Sequence, residues 1–265
     1  GIETVKKLVD EFDKLSNQIW TVGIGIPGFS SKEKGLVTNA NSMWLNDKPF
    51  KKDLEIALNR KVKLMNDANC FTLSEAVDGA GKDYQSIFGI IVGTGFGGAL
   101  SYNKEIIEGA NQIAGDWGHQ PLPYPTKEEI ETKINCPSMN CGRPLCAEQF
   151  MSGIGFKDVF NQKHKTSFTS EEIVKLDLDG DPRANSELSL YEDRMARLLA
   201  VMIGIFDPDA IILGGGMSNI DRLYKNIPVL IPKYTFSNKV ITKVIKNFHG
   251  DSSGVRGAAW LWNNV

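Results

Sequence analysis

Between His119 and Glu148 this 265-residue chain gathers one histidine, three of its four cysteines and a glutamate just past them. No other stretch restricts its folding as much. Cys136, Cys141 and Cys146 with His119 offer three thiols and one imidazole, the donor number and softness of a closed tetrahedral zinc site. The thiols follow C-x4-C-x4-C, wider than the commoner C-x-C or C-x2-C. Three cysteines cannot pair off into disulfides, and nothing else suggests secretion. Scattered burial of free thiols is the remaining alternative. However, Asn135, Pro137, Ser138, Asn140, Gly142, Arg143 and Pro144 are loop formers that build no regular core. The reading is a structural zinc that draws an irregular loop to one point.

The length fits one large or two medium domains. A net charge of −2 and a pI near 6.0 give no footprint for nucleic acid or an anionic membrane surface. No apolar run reaches membrane-spanning length, the first residues lack a signal-peptide profile, and few cysteines point to a reducing compartment. The expectation is a soluble cytoplasmic protein.

Hydrophobic periodicity organises the rest. Val5, Leu8, Val9, Phe12 and Leu15 form one helical stripe. Trp20 to Ile26 reads as a buried strand ending in Pro27-Gly28, Lys52 to Leu58 as a helix, Lys61 to Met65 as a strand, and Asn66-Asp67 as the start of another helix. Gly79 to Asp83 is a glycine-rich junction and a candidate boundary. Ile87 to Val92, Ala99 to Tyr102 and Glu105 to Ile107 read as strands. From Leu188 to Phe206 the apolar positions step by threes and fours. The second half is apolar nearly all round, so a central, buried helix is expected. Ala210 to Leu213 is a strand, and Gly254 to Trp262 a closing helix. Strand–helix alternation argues for an α/β fold with parallel strands.

Gly93-x-Gly95-x-x-Gly98 matches a dinucleotide fingerprint only formally, because a strand rather than a helix follows. Its backbone could approach phosphate oxygens, or it could be a hairpin that needs glycine for positive φ. Gly214-Gly215-Gly216 ends a strand, where ligands bind in open α/β sheets, or is a flexible turn. Asp67, between a strand and a helix, could be an N-cap or a general base pointing into the sheet crevice. Asp116 and Glu148 flank the zinc loop. A folded loop would bring them together, where they could accept hydrogen bonds from a polyol; otherwise Glu148 is a solvated loop-edge charge.

These segments occur in an order that resembles the ROK family of bacterial sugar kinases: Gly23-Ile24-Gly25-Ile26-Pro27-Gly28, Asn66-Asp67-Ala68-Asn69, Gly93-Thr94-Gly95, Gly115 to His119, the cysteine loop and Leu213-Gly214-Gly215-Gly216. Asn39 to Asn46, with Trp44, and Asp116 to Pro123 look most like the fructokinases of that family, as does His249 to Trp260. N-acetylglucosamine kinases are the nearest competitors. The resemblance implies a two-domain actin-like ATPase fold of the ribonuclease H-like type, with a cleft between the domains. A small domain at 1–83 would be completed by the closing helix at 252–265, and 84–251 would form a larger domain carrying the zinc loop. It implies ATP-dependent phosphorylation of a hexose 6-hydroxyl, most of all of fructose and also of mannose, in a homodimer using ATP, Mg²⁺ and structural zinc. Asp67 would be the catalytic base. Gly28, Asn41, Asn66, Asp116, His119 and Glu148 would meet the sugar. Gly93, Thr94, Gly95, Gly97 and Gly98 would hold ATP phosphates, and Gly214, Gly215 and Gly216 would line the nucleotide side. His119, Cys136, Cys141 and Cys146 would be the metal ligands.

The chain departs from that pattern in three places. Position 116 is Asp where the family usually has Glu, so a hydroxyl contact there is weakened or water-bridged. The first two thiols are wider apart than Cys-x-Cys. The sequence opens at the helix that in the family follows an opening strand and an Asp-x-Gly-Gly-Thr-type phosphate loop, so a kinase lacking its front end is expected. Three strands with turns would be roughly 30 to 40 residues, and without them residues 1–265 alone are expected to show negligible kinase activity. Two other classes stay in view. The family includes sugar-sensing repressors with a helix-turn-helix ahead of the kinase-like body. A zinc hydrolase would need an open coordination position, which four ligands would close.

Overall fold

A computed structural model describes residues 1–40, 42–132, 134–138, 141–237 and 239–262. Helix α1 (Ile2–Ser16) leads to strand β1 (Val22–Ile26), the short pair β2 (Phe29–Ser30) and β3 (Val37–Thr38), helix α2 (Phe50–Leu58), strand β4 (Val62–Asn66) and helix α3 (Asp67–Val77). Next come strands β5 (Ser86–Val92), β6 (Phe96–Tyr102) and β7 (Glu105–Ile107), then helices α4 (Lys127–Glu131), α5 (Ala147–Met151), α6 (Gly153–His164), α7 (Ser170–Leu178) and α8 (Pro182–Phe206). Strand β8 (Ala210–Gly214), helix α9 (Arg222–Leu230), strand β9 (Lys243–Lys246) and helix α10 (Ser253–Trp260) complete the order.

The expected α/β class is present, but the sheets are mixed rather than parallel throughout. β1 and β4 pair in parallel, with Val22 opposite Val62 and Ile26 opposite Asn66. The larger sheet runs β7-β6-β5-β8-β9; β5, β8 and β9 are parallel, while β6 and β7 turn back as antiparallel hairpins. Short connections explain the reversal, since a three-residue link from Val92 to Phe96 can only fold the chain back on itself.

β5 is apolar at nearly every position because both its faces are covered. Phe88, Ile90 and Val92 point into a large core with the α8 residues Leu188, Tyr191, Met195 and Leu198. Ile87 and Ile91 face the other way, toward Phe71 and Ala76 of α3. The period-2 alternation of a strand thus divides one apolar run between two layers. A separate small core gathers Val22, Ile26, Val37, Leu45, Phe50, Leu54 and Val62.

Helix α3 lies between the layers, buried from Ala68 to Ala76. Close approach makes this possible. A Cβ on Gly89 of β5 would meet Thr72 Oγ1 at 2.1 Å, and one on Gly257 of α10 would meet the Cys70 carbonyl oxygen at 1.7 Å.

Two expectations are corrected. On α8, Leu198, Leu199, Met202 and Ile203 are buried, but Val201 and Ile205 are exposed, at 42% and 78%. The helix lies across the core with one face outward instead of passing through the centre. On α1, Val5 and Val9 pack on the small core while Leu8, Phe12 and Leu15 stay exposed. Among the described residues, no helix is long and apolar enough to cross a membrane.

Candidate active site

The parallel pair β1–β4 ends with Ile26 beside Asn66, and α3 begins at the next residue. Asn66, not Asp67, caps the helix. Its Oδ1 accepts the amides of Ala68 (3.0 Å) and Asn69 (3.3 Å), and its Nδ2 donates to the Gly28 carbonyl at 3.3 Å. Gly28 has φ +114°, and a Cβ there would meet the Thr38 carbonyl at 2.6 Å, so no other residue fits the turn. With the cap supplied by its neighbour, Asp67 is the first helical residue and stands accessible to solvent in the cleft. Its Oδ1 also accepts the Ala68 amide at 2.8 Å. Partial desolvation in the cleft pushes its pKa up, and the charge of Asp116 adds to this, while hydrogen bonds from Ala68 and Asn66 oppose it. A carboxylate less acidic than usual is a better proton acceptor.

A cavity of about 370 Å³ opens at this helix start. It brings together nearly every site residue named from the sequence: Gly28, Asn66, Asp67, Gly93, Thr94, Gly95, Gly97, Gly98, Asp116, His119 and Glu148. Asn41 lies outside the described residues, although Asn39 lines the cavity. Phe29 and Ala114 also line it and were missed, since neither belongs to a motif with chemistry of its own, and Asn69, quoted in the Asn66 to Asn69 segment but given no role, lines it too. Trp44, part of the fructokinase-like segment, is not in the lining. It is 61% exposed and packs edge-on against Phe50, with ring centroids 6.1 Å apart. Asp116 stands at the open mouth of the cavity. Desolvation raises its pKa, while His119 and Arg143 pull it down. Glu148 is buried, and its Oε2 accepts the Phe96 amide at 3.0 Å, fixing the β5–β6 turn against α5.

That turn is a hairpin, as one of the two readings required, but not for positive φ: Gly93, Gly95, Gly97 and Gly98 all avoid the left-handed region. The space around their Cβ positions distinguishes them. Gly98 is excluded from larger residues by Phe88 at 2.8 Å, and Gly95 is crowded by Glu148 at 3.2 Å. Gly93 and Gly97 have nothing within 4 Å. At the end of β8, Gly214 is tight against Phe71 (2.4 Å). Gly215 has φ +82° and lies against Val92 (2.6 Å), but Gly216 faces open space.

Gly216 and Gly93 both line a second cavity, of about 670 Å³, with Thr94, Lys157 and Asn219. Of the residues assigned to ATP, Gly93, Thr94 and Gly216 line the second cavity, Gly93, Thr94, Gly95, Gly97 and Gly98 line the first, and Gly214 and Gly215 pack against Phe71 and Val92. Gly93 and Thr94 form a wall shared by the two cavities.

The four metal-ligand candidates converge. One donor atom from each of His119, Cys136, Cys141 and Cys146 lies within 4.8 Å of all the others. His119 Nδ1 is 3.4 Å from Cys146 Sγ and 3.9 Å from Cys136 Sγ. Such separations suit the edges of a tetrahedron whose arms are about 2.0–2.3 Å, the Zn–N and Zn–S lengths. Backbone pairing brings the outer two ligands together: Leu122 N–H donates to Leu145 O (2.7 Å), Ala147 to Gln120 (2.8 Å) and Glu148 to Gly118 (2.8 Å). Burial pushes the Cys136 thiol well up and the Cys146 thiol to about 11. A divalent cation reverses that balance by displacing the protons, so this donor set fits a bound metal better than free thiols. Cys70 is apart from the cluster, buried on α3, its thiol pushed up to about 12 by desolvation.

Residues 1–265 match the ROK family, and the chain belongs to it. It is 36% identical over 260 residues to the N-acetyl-D-glucosamine kinase of Vibrio cholerae serotype O1, covering 98% of this chain and 86% of that one. Among solved structures, the ROK hexokinase from Thermus thermophilus superposes with a TM-score of 0.83 at 23% identity, over 97% of this chain and 84% of that one. A ROK family glucokinase from Streptomyces griseus, in complex with glucose and AMPPNP, gives 0.80 at 22%, over 98% and 86%. The fold is that of the actin-like ATPases, as the motif order implied.

Proposed function

We propose that the protein is an ATP-dependent sugar kinase that phosphorylates the 6-hydroxyl of N-acetylglucosamine, with Asp67 as general base. The observation that carries this reading is the wall of Gly93 and Thr94 between two cavities, with Asp67 on one side and open-faced Gly216 on the other. Sugar in the first cavity and nucleotide in the second would meet across a backbone without side-chain bulk. Asp67 would take the hydroxyl proton as oxygen attacks the γ-phosphorus and the bond to the β-phosphate oxygen breaks, with Mg²⁺ entering on the nucleotide. Asn66, Asp116, His119 and Glu148 would position the sugar. Zinc held by His119, Cys136, Cys141 and Cys146 would keep the sugar-side loop folded.

The choice of sugar follows the relatives rather than the fructokinase-like segments. The 36%-identical relative is named for N-acetylglucosamine. Trp44, which favoured fructose, lies outside the cavity lining. A hexose panel on the full-length protein tests the reading, with kcat/KM expected highest for N-acetylglucosamine. The Asp67→Asn variant should bind sugar normally while kcat falls ~10²–10⁴-fold, because an amide keeps the hydrogen bond but cannot take the proton. Highest kcat/KM on fructose or mannose would restore the other substrate, and an active Asp67→Asn enzyme would remove the base.

A further inference from the structure

Helix α6 borders the second cavity through Gly153, Ile154 and Lys157, with Lys157 one turn on, at i+4 from Gly153 and i+3 from Ile154. Helical side chains lean toward the N-terminus of their helix, so Lys157 leans toward Gly153. The Gly153 amide donates to the Gly93 carbonyl at 2.7 Å, so that end of α6 abuts the wall between the two cavities. Lys157 is half-buried, yet among the described residues no carboxylate lies within ion-pair distance of it. Several cations of similar burial are matched, Arg60 with Asp13, Arg222 with Asp177 and Glu192, and Lys63 with the Leu261 carbonyl; Lys104, like Lys157, has no such partner among the described residues, but it lies on the β6–β7 turn away from both cavities. A cation drawn partly out of water and left unpaired is complementary to an anion.

We propose that Lys157 binds the terminal phosphates of the nucleoside triphosphate and positions them at the Gly93–Thr94 wall. This rests on the kinase reading above, which places the nucleotide in the second cavity. The orientation follows from the requirement of transfer. The γ-phosphate has to sit at the wall shared with the sugar cavity, so base and ribose extend away from that wall into the rest of the second cavity. Lysine supplies a compact point charge that follows a phosphate as it moves, where arginine would hold it in a fixed fork. A single lysine on a helix ordinarily reads as a solvated surface charge, so its spacing alone does not single it out.

The test compares Lys157→Met, which keeps the stem, and Lys157→Arg, which keeps the charge, in the full-length protein. ATP and adenosine binding are measured by calorimetry, alongside steady-state kinetics. Losing a charge-assisted contact should raise the KM and Kd for ATP ~10- to 100-fold in Lys157→Met. Sugar KM, adenosine affinity and melting temperature should be unchanged, and Lys157→Arg should recover most of the ATP affinity. Unchanged ATP binding in Lys157→Met overturns the proposal, as does an equal loss for ATP and adenosine, which would put the lysine on the nucleoside. A wild-type protein that does not bind ATP overturns both the proposal and the kinase reading. Wild-type binding with an indifferent Lys157 overturns the proposal alone.

Discussion

A methyl group added at Gly93 or Gly216 would touch nothing in the protein within 4 Å, and neither residue has a backbone that only glycine adopts. Nothing in the folded chain accounts for them, whereas Gly98 and Gly214 are accounted for by the rings of Phe88 and Phe71. Alanine therefore separates a ligand-facing glycine from a packing one. Gly216→Ala should hold or slightly raise the melting temperature, since alanine restricts the unfolded chain by ~0.4–1 kcal/mol. The same variant should weaken ATP binding at least tenfold, because the methyl occupies nucleotide space. Gly214→Ala should lose stability instead. Thermal melts with and without ATP on the two variants decide the matter, and an unimpaired Gly216→Ala enzyme would show that the second cavity is not the nucleotide site.

The short helix α4 is secured from its N-terminus by one residue with three partners. Glu129 closes a capping box with Thr126, its Oε1 accepts Arg194 Nε at 2.8 Å and Arg197 Nη2 at 2.7 Å, and both arginines lie on α8. Arg197 also donates to the carbonyls of Pro123 and Tyr124 at 2.9 Å, so α8 holds the segment that follows His119. All three side chains are almost completely buried, at 2–4% exposure. Breaking such a network leaves an uncompensated buried charge. Arg197→Met should cost about 3–5 kcal/mol in urea denaturation, whereas Lys127→Ala, in the exposed pair with Glu131, should be nearly silent.

Burial pushes the Glu129 pKa up, but the two arginines outweigh it and hold it below the ordinary glutamate value of 4.5. A depressed carboxylate pKa stabilises the fold above the unfolded value. That contribution is lost as pH falls through the folded value, so an acid titration of the urea midpoint should flatten in Arg197→Met.

The elements were unevenly legible in the sequence. β5, β8 and α8 stood out because buried apolar runs have few alternatives. Helices α4 and α7 were not read from the sequence, although Thr126 to Glu129 and Thr169 to Glu172 carry the capping-box signature that could have found them. Asp67 read equally as cap or base until the structure gave the cap to Asn66. Trp44 pointed to fructose only while its direction was unknown.

Across the whole molecule, the four candidate metal ligands and the first cavity share His119 and are linked through Glu148. Glu148 Oε2 holds the Phe96 amide at 3.0 Å, while its Oε1 lies 3.6 Å from Cys136 Sγ. The second cavity, beyond the Gly93–Thr94 wall and proposed above to take the nucleotide, is lined by none of the four. Removing the metal should therefore act unequally on the two substrates. His119 and Cys146 are held by backbone pairing that does not depend on an ion, but Cys136 and Cys141 lie where no helix or strand is described between Glu131 and Ala147. A loop without such structure gains its order from the metal. One zinc per chain is expected by elemental analysis of protein purified without chelator. Chelation or Cys141→Ser should raise sugar KM severalfold or more and expose residues 132–146 to proteolysis, while ATP affinity changes little. Zinc-free protein with an unchanged sugar KM would rule out the metal as the organiser of the sugar side. Equal losses for sugar and ATP would show that it supports the fold as a whole.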